Sequence, residues 1–428
     1  MAKADTPRPQ LRRGRKRRGR IKAKDLTGRK YLELVEDHLA YLRQLYPHPK
    51  RVLFYDDVVV CYLLAFFNSV VRSLRCIEDA SQVPGINQFL SVDAVCKSTL
   101  SEANALFDPQ HLEGLIQQLR KDLPNLQQID GQLAALLDRV HAVDGSYFRV
   151  AADVAWALHQ AKPDGKLMGQ IRLNLQHCLK SGCPSGLSIS GDDGMGEGAA
   201  ATLLLDPQEH QAIYLFDSGV VKFSYLKSIL AAEAHFLCNL RENIGFEPAE
   251  DKPLSDADRA AGVLSDRVGY LTSSHAPRGA DAGPKVMLRE VRIAYTDRHG
   301  QSRQLRLLTD LLDLPAHLIA ELYRHRWKVE LFFRWLKVHA NYRHLISHSK
   351  NGVTLGFYVA VIAMMLTCLQ TQAPLSKYGY NLMAMVAAGL GDIEDILPIL
   401  QNRERERERE RQRQARKRAE KQAQKKMV

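Results

Sequence analysis

The pattern of apolar and polar positions changes along the chain, and each change predicts a different kind of structure. Residues 31–130 hold apolar stretches of helical length, and segments such as 55–73 and 109–121 are predicted as helices. From Leu133 onward the apolar runs become shorter and are bounded by turn residues, which is typical of strands. We therefore expect a helical N-terminal domain at 31–130, followed by an α/β domain at 131–402.

Two of the predicted strands end at an acidic residue. The run before Asp144 is expected to stop in a tight turn at Asp144-Gly145, because Asp-Gly pairs favour turns. Ile213–Phe216 stops at Asp217-Ser-Gly, and a helix is predicted after it. A strand, an acidic tip, a turn and a helix form a common active-site layout in α/β folds. Further strands are expected at 169–179, 187–190 and 235–240.

Residues 240–312 lack strong helical periodicity and predict a β-rich insertion within the α/β domain. Two runs in this segment, 286–295 and 303–308, are joined by Thr296-Asp-Arg-His-Gly and indicate a hairpin.

The stretch Ile319–Lys350 contains no Gly or Pro and predicts one long helix. At about 100° per residue, Tyr323, Arg326, Arg334 and Lys337 fall on one stripe with Glu330. A carboxylate on a mostly buried helix must be paired, bind a metal or face a ligand, because an isolated buried charge is too costly. An ion-pair stripe facing solvent is the alternative. The remaining directions are covered by Leu322, Trp327, Val329, Leu331, Phe332, Phe333, Trp335 and Leu336.

Charge is concentrated at the two ends of the chain. Residues 1–30 hold 13 Lys or Arg and 2 acids, and residues 403–428 hold 12 and 5, in a chain of net charge +12. We expect a disordered basic arm at 1–30 and a charged tail at 403–428. Basic ends on a mildly acidic body suit a polyanion such as DNA, and solvated tails that aid solubility are the alternative.

The chain gives no sign of a secreted or membrane protein. Its seven cysteines form no CxxC pair and no framework spacing, which fits a reducing cytoplasm. The apolar run 353–369 is barely long enough to span a bilayer, so we expect a buried core helix there and no membrane partner. A cytoplasmic protein is therefore expected.

The spacing of the stripe resembles a known signature. Tyr323, Arg326, Glu330 and Lys337 follow the order Tyr, two residues, Arg, three residues, Glu, six residues, Lys. This is similar to the signature of DDE transposases of the insertion-sequence 4 group. The sequence around 308–316, 344–353 and 99–108 also resembles that family.

The resemblance implies a ribonuclease H-like catalytic core with three catalytic, metal-binding carboxylates. Glu330 matches the third and Asp144, in Asp144-Gly-Ser, the first. Asp217 matches the second less closely, because the family often has Arg-Gly and an aromatic residue where this chain has Ser-Gly-Val. The competing acids stand in or near a Gly-rich loop, where a loop role is expected for them, and they are Asp192, Asp193 and Asp206.

The same resemblance implies two Mg²⁺ (or Mn²⁺) ions per site, and hard carboxylate oxygens suit either ion. Tyr323, Arg326 and Lys337 are then expected to contact DNA phosphates, with Arg334 on the same stripe. Trp327 and Trp335 can stack an unpaired base, although core packing is favoured for both. A zinc site is not favoured by the spacing of His339, His344 and His348.

The expected function is that of a DNA transposase of an insertion sequence. It would bind double-stranded transposon ends as a homodimer, cleave them and join the freed 3′-hydroxyl to target DNA. A metal-dependent nuclease on the same core that does not integrate is the first alternative. A non-catalytic DNA-binding repressor is the second, but it would not need an acidic triad.

Overall fold

The computed structural model describes most of the chain. The described residues are 30–68, 71, 73–87, 90–124, 126, 131–149, 154–160, 167–191, 196–206, 209–272, 284–296, 300–338 and 345–426. The expected basic arm at 1–30 therefore lies outside them, apart from Lys30. So do Asp192, Asp193, His339 and His344.

Helices occupy the described residues before the first strand, as the sequence predicts. The predicted helix at 55–73 ends at Phe67, and a new helix begins at Leu74 with the Ser73 hydroxyl accepting a hydrogen bond from Cys76 N at 3.1 Å. Such a side-chain cap satisfies a backbone donor at the start of a helix. The helices are α1 (Glu36–Gln44), α2 (Tyr55–Phe67), α3 (Leu74–Ser81), α4 (Pro84–Asn87), α5 (Lys97–Leu106) and α6 (Glu113–Asp122).

The second part of the chain is a mixed α/β structure built on one large sheet. Its strands are β1 (Val140–Arg149), β2 (Leu158–Gln160), β3 (Leu167–Cys178), β4 (Cys183–Ser190), β5 (Ile213–Phe216), β6 (His235–Asn239), β7 (Gly245–Asp251), β8 (Val263–Thr272), β9 (Leu288–Thr296) and β10 (Ser302–Thr309). Its helices and those that follow it are α7 (Glu197–Thr202), α8 (Phe223–Ala231), α9 (Asp256–Ala260), α10 (Ala316–Arg324), α11 (Trp327–Val338), α12 (Lys350–Thr371), α13 (Lys377–Ala387) and α14 (Ile393–Lys426).

The centre of the sheet has a simple strand order. β4 pairs with β3 and β3 with β1, both antiparallel, while β1 pairs with β5 and β5 with β6 in parallel. β10 then continues the sheet from β6, and β9, β8 and β7 follow in turn. The segment predicted as a β-rich insertion is thus an extension of the same sheet, and the predicted hairpin in it is β9–β10.

The predicted turn at Asp144-Gly145 is wrong, because β1 runs straight through it. Asp144 pairs with Leu175 and Gly145 with Asn174 in an unbroken antiparallel ladder with β3. At Gly145 a larger residue would be a tight fit. A Cβ there would stand 3.1 Å from Asn174 Oδ1 and 3.2 Å from Arg172 Cδ, so two β3 side chains occupy the space beside it.

The long helix predicted at 319–350 is wrong as a single element, because it is broken between α10 and α11. At the break, Arg326 N bonds to Tyr323 O at 3.0 Å and Lys328 N to His325 O at 3.0 Å. These bonds span three residues, where an α-helix spans four, so the chain tightens and the helix axis is interrupted. α10 packs against β6, β8 and β9, whereas α11 packs against β1 and β3.

The apolar run at 353–369 lies in the core helix α12, as expected. α12 packs against α2, α5 and α6 on one side and β4 on the other, so one apolar core joins the N-terminal helices to the sheet. By length and composition Lys350–Thr371 qualifies as a membrane span, and 89% of its most apolar window is buried inside the protein.

β7 forms the outer edge of the sheet among the described residues. It pairs only with β8, its residues from Glu247 to Asp251 are exposed, and its register shifts between Pro248 and Glu250. Inside the extension, by contrast, charged side chains are buried. Arg289 Nη2 lies 2.7 Å from Asp266 Oδ2, with each side chain at most 4% exposed.

Candidate active site

Asp144 lies in the middle of β1, on the face of the sheet that α11 covers. Alternate residues of a strand share a face, so Ser146 and Phe148 point the same way. Both meet α11 through Lys337, whose Nζ donates to Ser146 Oγ at 2.8 Å and lies 4.8 Å from the centre of the Phe148 ring. Gly145 N–H donates to Asp144 Oδ1 at 2.8 Å, which orients the carboxylate.

Asp217 follows the last residue of β5, on the strand next to Asp144. The parallel register pairs Ala142 with Leu215, so Asp217 and Asp144 each lie two residues beyond the last recorded pair. Gly219 N–H donates to Asp217 Oδ1 at 2.8 Å and fixes that carboxylate at the start of the turn. Of the competing acids, Asp206 is described, and it lies beside the Tyr214 hydroxyl.

Glu330 lies in the first turn of α11 and is held by Arg326. Arg326 Nη2 donates to Glu330 Oε1 at 2.5 Å, and the two side chains are 14% and 31% exposed. A guanidinium carries five N–H donors, so Arg326 can hold Glu330 and still present donors to a second anion.

The pKa of Asp144 depends on its burial and on the charged groups around it. Burial, the largest cause, raises the pKa from 3.8 to about 6, while the Gly145 N–H lowers it. The negative charges of Asp217 and Glu330 raise it further, and Arg326 lowers it. Burial alone raises the pKa of a carboxyl group, and nearby carboxylates add to the effect. The three predicted acids therefore act on one another electrostatically.

The residues expected to contact DNA are divided between the two helices. Tyr323, on α10, is 7% exposed, and its hydroxyl donates to Phe216 O at 3.5 Å, one residue before Asp217. Burial raises the pKa of Tyr323 above its ordinary value. On α11, Lys337 reaches β1, and burial lowers its pKa while the charge of Asp144 raises it. Arg334 lies one turn beyond Glu330 and is exposed.

A fourth acidic side chain reaches Asp217 from α7. Glu197 Oε2 lies 2.8 Å from the place that a Cβ on Gly219 would take, and Asp217 Oδ1 lies 3.1 Å from the same place. Glu197 Oε1 is 3.8 Å from Arg172 Nη1, so a buried cation stands behind it. Glu197 carries no signal of this role in the sequence, because its Gly-rich surroundings indicate only a loop.

Arg172 belongs to a polar strip on the face of β3 that is turned away from α11. Arg172 and Asn174 are 6% and 3% exposed, and Arg172 Nε donates to Asn174 Oδ1 at 2.8 Å. These are the side chains that fill the space beside Gly145. The strand segment that carries Asp144 is therefore packed from both faces of the sheet.

The donor set suits a hard divalent cation. Asp144, Asp217 and Glu330 offer carboxylate oxygens, the ligands that Mg²⁺ prefers, and their mutual repulsion is what such a cation would relieve. Within the described residues, no group of three or more His, Cys, Asp or Glu side chains is arranged to hold a metal ion. Arg326 holds one oxygen of Glu330, and a carboxylate has a second oxygen that can bind a cation.

The two tryptophans of α11 differ, although core packing is expected for both. Trp335 is 6% exposed and packs edge-on against Tyr380, with ring centres 5.5 Å apart. Trp327 is 53% exposed and stands beside Arg326 at the start of the helix, so the core expectation is wrong for it. The break between α10 and α11 changes the direction in which Trp327 points and leaves it at the surface.

A family model for the transposase DDE domain matches residues 136–366. Three curated proteins named as transposases are also similar to the chain. One, from Sinorhizobium fredii, is 26% identical over 243 residues, covering 54% of this chain and 64% of the relative. One from Geobacillus stearothermophilus is 38% identical over 74 residues, covering 17% and 19%. One from Synechocystis, named for an insertion sequence element, is 22% identical over 320 residues, covering 73% and 82%.

The chain thus spans less than two thirds of the length of the first two of these relatives. Among solved structures, a piggyBac transposase synaptic complex with hairpin DNA has a TM-score of 0.39 to this chain and is 11% identical to it. That similarity covers 87% of this chain and 78% of the other.

Proposed function

Since this chain belongs to the transposase DDE domain family, we propose that it is the DNA transposase of an insertion sequence. It binds the double-stranded ends of its element, hydrolyses a phosphodiester bond there and transfers the freed 3′-hydroxyl to target DNA. The observation that supports the proposal is geometric: Asp144 lies on β1 under α11, which carries Glu330, and Asp217 directly follows β5, the strand next to β1. A pure DNA-binding protein has no need to hold carboxylates against their own repulsion.

The strand order supports a ribonuclease H-like core. β4, β3 and β1 form an antiparallel unit that continues in the parallel strands β5 and β6, an order consistent with such a core. In such a core, Asp144 would lie on β1 and Asp217 directly after β5. Glu330 would lie on α11, the helix that packs over β1. The domain boundaries expected at 31–130, 131–402 and 403–428 are part of the same proposal.

Asp144, Asp217 and Glu330 are proposed to hold two Mg²⁺ or Mn²⁺ ions. When bound, such a pair activates a water molecule and stabilises the charge that develops on the phosphate. Glu197 supports this site from behind by fixing the turn at Gly219 that holds the Asp217 carboxylate. Its own charge is offset by Arg172.

Arg326 is proposed to exchange partners during the reaction. It holds Glu330 in this structure, and if Glu330 held a divalent cation its carboxylate would need the guanidinium less. A phosphate then receives its forked donors, a geometry that guanidinium and phosphate share. Tyr323, Lys337 and Arg334 are proposed to contact neighbouring phosphates, and the exposed Trp327 to stack a base that leaves the duplex.

The partners proposed are transposon-end and target DNA, bound by a homodimer in the cytoplasm. The basic arm at 1–30 adds general affinity through its 13 Lys or Arg residues, since phosphate contacts carry no sequence information.

A cleavage assay on labelled end duplexes with Mn²⁺ tests the proposal. Glu330→Gln keeps the shape of the side chain but removes its charge, so cleavage is expected to fall by about 10²–10³-fold or more, the scale for losing one charge-stabilising group. End binding without metal should persist. Glu321→Gln, on the exposed side of α10, is the matched control and should cleave normally.

If Glu330→Gln cleaved DNA at a near-normal rate, the polar stripe around Glu330 would have a structural role. The proposal would then be wrong. The same assay separates the alternatives. Cleaved ends that never join to target DNA would indicate a nuclease, and binding without any cleavage by the unmodified chain would indicate a repressor.

A further inference from the structure

The C-terminal helix α14 leaves the body of the protein and continues far beyond it. Its first turns are anchored by Ile393, Ile396 and Leu400, which are at most 8% exposed and pack toward α12 and α13. From residue 401 onward every side chain that the structure describes is exposed. At 1.5 Å per residue, the segment 401–426 extends about 39 Å from its root.

The charge on this projecting segment is divided along its length. Residues 401–410, the neutral spacer, hold four Arg and four Glu. Residues 411–426, the cationic tip, hold eight Lys or Arg and one acid, Glu420. The whole excess of +7 in the tail therefore stands on its far half.

The neutral spacer is built to be straight. Arg403 Nη1 lies 2.9 Å from Glu406 Oε2, three residues on, and such pairs stabilise an isolated helix. The guanidinium groups of Arg403 and Arg407 also lie 5.5 and 5.1 Å from the centre of the Tyr378 ring, at the start of α13. These contacts fix the direction in which the helix leaves the body.

The cationic tip, by contrast, contains like charges that repel one another along the helix. Arg413, Lys417, Lys421 and Lys425 are spaced four apart, and like charges at that spacing destabilise a helix. The helix dipole favours cations only within the last turn, so it accounts for Lys425 and Lys426 but not for the cations before them. A partner with regularly spaced negative charge would remove the repulsion.

We propose that the cationic tip binds the phosphate backbone of double-stranded DNA, at a distance from the body set by the neutral spacer. This rests on the proposed function, which supplies DNA as the partner. B-DNA carries one charge per about 1.7 Å of its axis, so a tip about 24 Å long faces about 14 phosphate charges. Lys and Arg contacts to phosphate position a protein without reading sequence. The tip therefore holds any duplex, including one that lies beyond the reach of the catalytic domain.

The test is the salt dependence of DNA binding by the full chain without metal. Arg413→Gln, Arg416→Gln and Lys417→Gln together remove three exposed cations of the tip, and Gln keeps helix propensity. The slope of log affinity against log salt is expected to flatten by about 2.7, at about 0.9 per lost phosphate contact. End duplexes and unrelated duplexes should lose affinity equally. Circular dichroism checks that the helix is retained.

A variant with restored net charge tests whether DNA binding depends on where the positive charge lies or only on how much of it the chain carries. Adding Glu406→Gln, Glu408→Gln and Glu410→Gln to the tip variant restores the net charge of the chain, but in the neutral spacer. Binding should stay weak. Recovery of the original affinity would show that net charge alone acts, and it would overturn the proposal.

An unchanged salt slope in the tip variant would also overturn it. If that variant instead lost binding to vesicles containing anionic lipid, the tip would belong to a lipid surface. Absence of metal-dependent cleavage by the unmodified chain would refute the proposed function alone, because the binding measurements are made without metal.

Discussion

Glu290 and Glu330 are both paired with arginine, and their surroundings differ in the balance of charge. Glu290, in the extension of the sheet, is 0% exposed and accepts hydrogen bonds from Arg267, Arg292 and Arg306. Although burial favours its neutral form, these arginines keep its pKa below the ordinary value. Glu330 is 31% exposed, is held by Arg326, and shares its surroundings with two further carboxylates.

The difference is one of charge balance. Around Glu290 the protein supplies more positive than negative charge, so the network is complete without a ligand. Around Glu330 three acids share their surroundings, and Asp144 has a pKa that burial raises first and the neighbouring carboxylates raise further. A carboxylate that the protein neutralises fully is a structural element, whereas carboxylates that repel one another destabilise the fold unless a ligand offsets their charge.

Removing the structural carboxylate should have the largest effect on stability. Glu290→Gln leaves three arginines around a neutral side chain, and breaking a buried ion network costs about 3–5 kcal/mol. Urea unfolding measures the loss. Glu247→Gln, exposed on β7, is the control and should stay within about 0.5 kcal/mol of the unmodified protein. A loss under 1 kcal/mol for Glu290→Gln would contradict the structural role.

Removing the cation at the candidate site should affect catalysis and spare the fold. Arg326→Ala loses a charged hydrogen bond to phosphate, which is worth about 1.5–3 kcal/mol, so kcat/KM for end cleavage should fall by about 10- to 100-fold. Affinity for Mn²⁺, followed by electron paramagnetic resonance, should be preserved. Arg324→Ala, exposed on α10, serves as the control. Weaker Mn²⁺ binding with normal turnover would place Arg326 in a different role.

Replacing Asp144 should stabilise the protein, whereas replacing Glu290 should destabilise it. The pKa of Asp144 is raised in the folded protein from 3.8 to about 6, so the stability that its neutral form provides is lost as the pH rises through about 6. Asp144→Asn removes this loss. Without metal, the variant should be more stable than the unmodified protein by about 3 kcal/mol at pH 7–8, and equal to it below about pH 4.

Urea unfolding between pH 4 and pH 8 checks that dependence. Asp251→Asn, at an exposed position of β7, is the control and should show no such pH-dependent gain in stability. A variant at Asp144 that is less stable than the unmodified protein at pH 8 would mean that its carboxylate is satisfied by the fold, as Glu290 is.

Elements whose signal is local could be predicted from the sequence. β5 has the predicted bounds, because a short apolar run is closed on its C-terminal side by Asp217-Ser-Gly. The spacing of Tyr323, Arg326, Glu330 and Lys337 also indicated their common surroundings, although the helix that carries them is broken. No Gly or Pro marks that break, because it follows from packing α10 and α11 against different strands.

Features that depend on distant neighbours could not be predicted. Asp144-Gly145 has the composition of a turn, but Gly145 lies within a strand, where side chains of β3 leave little space beside it. Glu197 stands next to Asp217 only after α7 has folded back over the sheet. Trp327 has the pattern of a core residue and is exposed because the helix restarts there. In each case the deciding contact lies outside the local sequence.

The exposed edge strand β7 bears on whether two molecules of this protein associate through their sheets. An open sheet edge invites a strand from a neighbouring molecule, and edge-to-edge growth of this kind leads to aggregation. β7 exposes Glu247, Glu250 and Asp251, and Pro248 offers no N–H to an incoming strand. Like charges then repel a second copy of the same edge. Among the residues that the structure describes, the ten-stranded sheet thus ends in an edge that does not favour pairing with a further strand.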